Sequence, residues 1–488
     1  MSATGRERWC QALLALLLFI SYAYFLPRRV DWNQNGRMDL VLAIVDQGRL
    51  EIDDYVGNTG DYAHFGGHYY CDKAPGVSFL GVPFYWAFRQ AARLPGLGTW
   101  MARLAGRLAS SPASPQEAAG LFPWRGYFAL ALYATTLGAV ALPSVLLGLL
   151  VYRGARRLGA GAGTSALLTL VYGLGTMAFP YGSALYGHML AAACLFGAFY
   201  LLWGWAGGRR SAWRALLAGL LLGWAVVTEY PMVLPAGVLG LYGLYRLRSP
   251  QMIGWLALGA ALPAALLAGY DLAIYGSPLP MGYAYSELWQ EEVQTGFMTL
   301  TAPSLERLWG ITFSPYRGLF FLSPALLAAF PGFVVWWRRR EQRPEWWTCL
   351  LVIAVLLLFN ASSVVWWGGF AVGPRYIAPA VPFLMPAIAA WLARGGWRRP
   401  LFAALGALSI FEVWAQTITA LKFYPPEMYR FPLMEYALPL LRQGQIAANL
   451  GMALGLAGAW SLLPLMVIMA VVAAGLAWVC RAPAGGAA

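Results

Sequence analysis

Twelve apolar stretches long enough to cross a bilayer run through the chain, near 9–26, 126–152, 164–180, 188–206, 213–229, 231–246, 252–275, 319–337, 346–361, 377–393, 400–420 and 460–480. The hydrocarbon layer holds no water, so every backbone N–H and C=O inside it needs a partner from its own segment. An apolar stretch of about 20 residues is therefore read as a helix. The fold class expected is an all-α polytopic membrane protein with about twelve transmembrane helices, forming a single transmembrane domain over residues 1–488. Composition agrees with this: 60% of the chain is hydrophobic and only 11% is charged, against roughly 25% charged in soluble domains. The 23 Trp and 26 Tyr suit the two membrane–water interfaces. The first stretch resembles a signal peptide, but it reaches span length and its cleavage site is weak, so a retained helix is expected.

The basic residues set an orientation. Clusters at Arg6/Arg8, Arg153/Arg156/Arg157, Arg209/Arg210/Arg214, Arg246/Arg248, Arg338 to Arg340 with Arg343, Arg394/Arg398/Arg399 and Arg481 follow the N-terminus or an even-numbered helix. With both termini cytoplasmic, all of them fall on the cytoplasmic side. Counting the apolar segment 76–90 as a span would reverse every later loop, so it is expected to be a helix lying along the outer membrane surface. The extracytoplasmic loops are then a large first one, 27–125, followed by 276–318, 362–376 and 421–459. A net charge of +13 spent on orientation, without a basic tail or zinc-ligand spacing, argues against a nucleic-acid partner. Five cysteines show no CxxC spacing, and only Cys71 faces outward, so no extracytoplasmic disulfide is expected.

This topology gathers the polar chemistry on one side. Seven of the eight aspartates lie in the first loop, and all three histidines and both lysines are also on the outer side. The segment "GGHYYCDKAPG" (66–76) holds one of those two lysines, Lys73, next to Asp72 and ahead of a Pro-Gly pair. A loop of about 100 residues with interleaved acids, aromatics and glycines suits a polar, ring-shaped ligand such as a sugar, since structureless loops this long are uncommon. A carboxylate can take a proton from a hydroxyl nucleophile, and Lys or Arg can neutralise a phosphate. The cations available are Arg37, Lys73, Arg317 and Arg375, although either late arginine also fits an interfacial residue that snorkels. Glu229 interrupts an apolar stretch, and His188 opens a helix from the outer side, equally suited to capping it.

Three segments carry a family resemblance: the first helix, "NQNGRMDLVLAIVDQGRL" (33–50) and "HYYCDKAPGVSFLGVPFYW" (68–86). Over roughly residues 30–90 they resemble the GT-C membrane glycosyltransferases, in particular the branch of protein O-mannosyltransferases and the lipid A aminoarabinose transferase. Asp72-Lys73-Ala74-Pro75 resembles that branch's acidic-Lys-Pro-Pro element. The resemblance implies transfer of a sugar from a polyprenyl-phosphate donor to a protein, lipid or glycan acceptor, on the outer face of a bacterial inner membrane. It implies a general base among Asp61, Asp39 and Asp31, and donor-phosphate contacts from Lys73, Arg375, Arg317 and Arg37. Contacts to sugar or acceptor would come from His68, Tyr70, Asp72, Glu229 and His188. No cofactor is required, and the clustered acids are compatible with a divalent cation. The chain departs from the family pattern where Gln34, beside Asn33, occupies the position expected of the base, and an amide cannot accept that proton. Two rival functions follow: a catalytically inactive relative that binds polyprenyl lipid, and a transporter or flippase of lipid-linked sugars. The second would need a site near mid-membrane and internal repeats, neither of which is evident.

Overall fold

The structure, a computed structural model, describes residues 3–27, 31–109, 125–203, 205, 212–278, 282–288, 290–297, 299–419 and 429–480. Arg209, Arg210, Lys422 and Arg481, and parts of the loops 27–125, 276–318 and 421–459, lie outside the described residues.

The chain opens with α1 (Ala3–Ala23), then folds the first loop into α2 (Trp32–Leu42), a hairpin of β1 (Ala63–Phe65) and β2 (His68–Tyr70), α3 (Gly76–Ala92) and α4 (Pro95–Ala109). The main helices that follow are α5 (Gly126–Arg157), α6 (Ala162–Leu174), α7 (Gly187–Trp203), α8 (Ala212–Thr228), α9 (Val233–Leu247) and α10 (Pro250–Tyr275). The bundle is completed by α11 (Ala329–Trp337), α12 (Arg343–Ser362), α13 (Val381–Leu392), α14 (Arg398–Ile418) and α15 (Leu463–Cys480). Among the described residues, six helical stretches are long and apolar enough to cross a membrane unaided: Gly126–Arg157, Pro250–Tyr275, Arg340–Ser362, Arg375–Leu392, Arg398–Ile418 and Gly458–Cys480. Four more are apolar but shorter.

Segment 76–90 is helical, as its sequence suggests, with Val77, Ser78, Gly81 and Tyr85 turned inward and Trp86 exposed. Ser78 Oγ donates to the carbonyl of Arg37 at 2.8 Å, which ties α3 to α2.

Among the described residues, arginines of three of the clusters tie helix ends together. Arg156 pairs with Glu7 at 3.3 Å, Arg339 donates to the carbonyl of Leu158 at 2.9 Å, and Arg246 pairs with Glu345 at 3.4 Å. Cys10 and Cys480 form a disulfide, with Cα atoms 6.2 Å apart. Spacing gave no hint of that pairing. It exists because α1 and α15 pack together across 470 residues of sequence.

Helices α8 and α10 pack backbone against backbone. Gly219 and Gly223 on α8 form a G-x-x-x-G, and Gly259 sits opposite on α10. A Cβ at Gly219 would run into the carbonyl oxygen of Leu256, and one at Gly259 into that of Leu216. Small residues are what let two backbones meet inside a membrane, where packing rather than the hydrophobic effect holds helices together. Gly219→Ala is therefore expected to lower thermal stability in detergent by about 1–3 kcal/mol, as overpacking does. Gly237→Ala, where an added Cβ meets nothing within 4 Å, should change it little. Parallel melting curves of the two variants check this.

Candidate functional site

The first loop folds against the turn that follows α8 and the segment that follows α10. After β2 the chain runs through Asp72 and Lys73 into Pro75, which leads α3. Lys73 is buried, and its Nζ lies 2.7 Å from Asp61 Oδ1 and 2.7 Å from Asp72 Oδ2. Ser286 Oγ donates to Asp72 Oδ2 at 3.2 Å, and the Lys73 ammonium lies 5.2 Å from the centre of the Tyr283 ring. Gly282, just before Tyr283, permits this approach, because a Cβ there would lie 2.8 Å from the carbonyl oxygen of Asp72.

A second buried ion pair stands alongside. Arg37, on α2, directs Nη2 to Glu229 Oε1 at 2.8 Å and Nη1 to the carbonyl of Ala74 at 3.1 Å, so it holds the segment that carries Lys73. Its Nε donates to Asn33 Oδ1 at 3.2 Å. His188 Nδ1 lies 3.8 Å from the same Glu229 oxygen. Glu229 fits against α7 only because residue 187 is glycine; a Cβ there would overlap its carboxylate.

Asp31 and Arg375 make the third part. Asp31 caps α2, accepting from the backbone N–H of Asn33 at 3.1 Å. Tyr186 Oη donates to its Oδ2 at 2.5 Å. Gln34 bridges: its Nε2 lies 3.4 Å from Asp31 Oδ2, and its Oε1 accepts from the N–H of Leu185 at 2.8 Å. The Arg375 guanidinium sits 5.3 Å from the Tyr186 ring centre and 5.2 Å from that of Tyr376. Its charge reaches both Asp31 and Asp61, so it links this part to the Lys73 cluster.

Other candidates lie elsewhere. Asp39 is fully buried and receives a 2.9 Å hydrogen bond from Asn58 Nδ2, inside the loop's own core. His68 is exposed on the hairpin and pairs with Asp53 at 2.6 Å. Tyr70 packs its ring 6.2 Å from that of Tyr275. Arg317 donates to the carbonyls of Ala371 and Gly369, which braces the loop that presents Arg375. Several residues that complete the site have no distinctive sequence signal, among them Tyr186, Tyr283 and Ser286. The last two belong to "GYAYSELW" (282–289), an aromatic and polar run in the loop at 276–318, more than 200 residues from the lysine they surround. Among the described residues no three His, Cys, Asp or Glu side chains converge as a metal ion would require.

The electrostatics separate the two acids that share Lys73. Burial disfavours the charged form of Asp61, but the charge and hydrogen bond of Lys73 outweigh it and hold this carboxyl below the ordinary carboxylate range. Burial, together with the neighbouring Asp61 charge, pushes Asp72 up to about 7. Lys73 is itself raised, because the two carboxylates outweigh its burial. Near neutral pH the cluster therefore holds an ionised Asp61, a charged Lys73 and a half-titrated Asp72. Burial raises Asp31 as well, with partial relief from Tyr186 and Arg375, and raises Asp39 well above its ordinary value. The sign for stability follows from Asp72. A carboxyl whose pKa is raised in the fold contributes fully below its unfolded pKa of about 3.9, and that contribution is lost as pH climbs through about 7. Asp72→Asn, which mimics the protonated form, should melt at a higher temperature than the wild type at pH 8, with the gap closing toward pH 4. A gap constant from pH 4 to 8 would contradict this assignment.

These elements sit on a known fold. The chain matches ArnT from Cupriavidus metallidurans in the apo state with a TM-score of 0.50 and 16% identity, covering 98% of this chain and 76% of that one. ArnT from the same organism bound to undecaprenyl phosphate gives 0.49 and 16% over the same shares. No protein-family model matches the sequence, and no curated protein matches it. The likeness establishes the fold, an all-α, polytopic membrane architecture shared with the apo ArnT structure.

Proposed function

We propose that the protein is a glycosyltransferase that moves a sugar from a polyprenyl-phosphate donor to an acceptor outside the cytoplasm. The observation that carries this reading is the buried Lys73 ammonium held 2.7 Å from each of two carboxylates. A lysine so placed can exchange one of its partners for a phosphate. When a donor phosphate draws its charge away, Asp61 loses the interaction that kept its pKa low and becomes a stronger base. Asp61 then takes the proton of the acceptor hydroxyl. The hydroxyl oxygen bonds to the anomeric carbon, the bond from that carbon to the phosphate oxygen breaks, and the polyprenyl phosphate departs with the electron pair. Arg375, whose charge already reaches Asp61, and Arg37 join Lys73 in offsetting the charge on the leaving phosphate. Asp61 supplies the carboxylate that Gln34 cannot, which favours an enzyme over an inactive relative.

A groove of about 610 Å³ between α8, α9 and α10 supports a lipid substrate. It is lined almost wholly by apolar side chains such as Leu222, Val233, Leu241 and Leu267. Its lining reaches Val227 and Val233, which flank Glu229 in sequence, so an isoprenoid chain lying there would end beside the Arg37 and Lys73 ion pairs. With the arginine-rich end of the bundle toward the cytoplasm, as the charge rule directs, the loops 27–125, 276–318, 362–376 and 421–459 face outward. The site then opens on the outer face of a bacterial inner membrane, with both termini inside.

Transfer assays with purified protein and labelled polyprenyl-phosphate sugars test the reading. Asp61→Asn and Lys73→Ala should each lower turnover by on the order of 100-fold or more, the scale expected for loss of a general base or of a charge contact to the leaving group. Unchanged turnover in both would rule out this site.

A further inference from the structure

We propose that Asp271, Tyr270 and Tyr275, in the last two turns of α10, form a carbohydrate subsite beside Lys73 that holds the sugar ring of the lipid-linked donor and favours neutral or amino sugars over acidic ones. The inference rests on the donor class proposed above and adds the surface that would select the sugar.

The first observation is the stripe on which Asp271 lies. Leu256, Ala260, Ala264 and Leu267 line the apolar groove from α10 at intervals of three or four residues, which places them on one helical face. Asp271 is four residues past Leu267, and Tyr275 four past Asp271, so the same face passes from hydrocarbon to a carboxylate within one turn. A chain lying in the groove would bring its polar head to this point.

The second observation is unmade hydrogen bonds. Asp271, Tyr270 and Tyr275 are 3%, 6% and 7% exposed, and Asp271 Oδ1, Tyr270 Oη and Tyr275 Oη have no hydrogen-bond partner. Each buried polar atom left in that state costs about 1–3 kcal/mol. Three within six residues of one helix are accounted for by a ligand that brings the partners.

The third is position and chemistry. The Tyr230 and Tyr283 ring centres are 5.9 Å apart, and Tyr283 is the ring beneath Lys73. Tyr275 stacks on Tyr285 at 4.8 Å, one residue before the Ser286 that holds Asp72. Asp271 acts electrostatically on both Tyr230 and Tyr275. Among the described residues, no cation pairs with Asp271. The wall therefore offers one carboxylate, phenol hydroxyls and aromatic faces. A phosphate finds no cation here and is drawn to Lys73 instead, whereas sugar hydroxyls can hydrogen-bond with Asp271 and with the phenols, with C–H faces of the ring against tyrosine. An acidic sugar would bring a second carboxyl against Asp271, and two carboxyls in one buried place cannot both be ionised.

The test uses the full chain in nanodiscs and measures binding of undecaprenyl phosphate, the lipid seen with ArnT, and of undecaprenyl-phosphate sugars bearing a neutral hexose, an amino pentose or a uronic acid. The wild type should bind the neutral or amino sugar lipid about ten-fold more tightly than the bare phosphate, and the uronic acid lipid no better than the bare phosphate. Asp271→Asn and Tyr275→Phe should each remove most of that advantage, on the scale of one hydrogen bond to a charged or phenolic group, with bare-lipid affinity unchanged and the melting temperature of the unliganded protein no lower than that of the wild type. Tyr270→Phe serves the same purpose should either of the others fail to fold. A sugar advantage undiminished in the folded variants, or a uronic acid lipid bound as tightly as the neutral one, overturns the subsite. A wild type that binds the bare lipid but prefers none of the sugars also overturns it, and leaves the donor-phosphate reading standing. A wild type that binds no lipid phosphate overturns both.

Discussion

One ammonium shared by two buried carboxylates is the interaction on which the mouth of this protein depends. A charge out of water is tolerated only when it is paired, and Lys73 is paired twice. Its neighbours come from three stretches of chain: Asp61 from the segment before the hairpin, Asp72 from the adjacent residue, and Tyr283 with Ser286 from the segment after α10. Removing the lysine would leave two carboxylates facing each other with little water to separate them. The arrangement therefore fixes how the first loop seats on the bundle, and the Arg37–Glu229 pair fixes it a second time from α2 to the turn after α8.

The rest of the architecture serves that seat by keeping unlike chemistry apart. Ion pairs among arginines and glutamates hold one end of the helices, and the Lys73, Arg37 and Arg375 clusters occupy the other. Between the ends, α8 and α10 touch backbone to backbone through glycines, while α9 stands beside them and leaves an apolar groove. In this arrangement a lipid can reach a charged site without crossing polar protein. On the function proposed above, an apolar chain would stay in the hydrocarbon while its phosphate met cations at the mouth.

Much of this was legible in the chain. Long apolar runs became helices because no other backbone state satisfies its own hydrogen bonds in lipid. The segment 76–90 became a helix joined to the first loop. Lys73 stood out because a chain with 34 basic residues has only two lysines. Other candidates were drawn by composition to places that geometry did not join. Asp39 and Asp61 look equivalent in sequence, yet one is tied to Asn58 in the loop's core and the other to Lys73. Arg317 and Arg375 both sit in Pro/Gly turns, yet Arg317 spends its donors on the carbonyls of the loop that carries Arg375. Gln34, an amide at the position of an expected base, links Asp31 to the N–H of Leu185.

By itself the sequence determined the class of protein and put Lys73 and seven of the eight aspartates into one polar stretch before the second long apolar run, because transfer between water and hydrocarbon depends on local composition. The tertiary structure decided which acid meets Lys73, that Glu229 belongs to Arg37, and that Cys10 finds Cys480. Those partners lie 12, 192 and 470 residues apart, and contacts at such separations follow from helix packing, which no local pattern encodes.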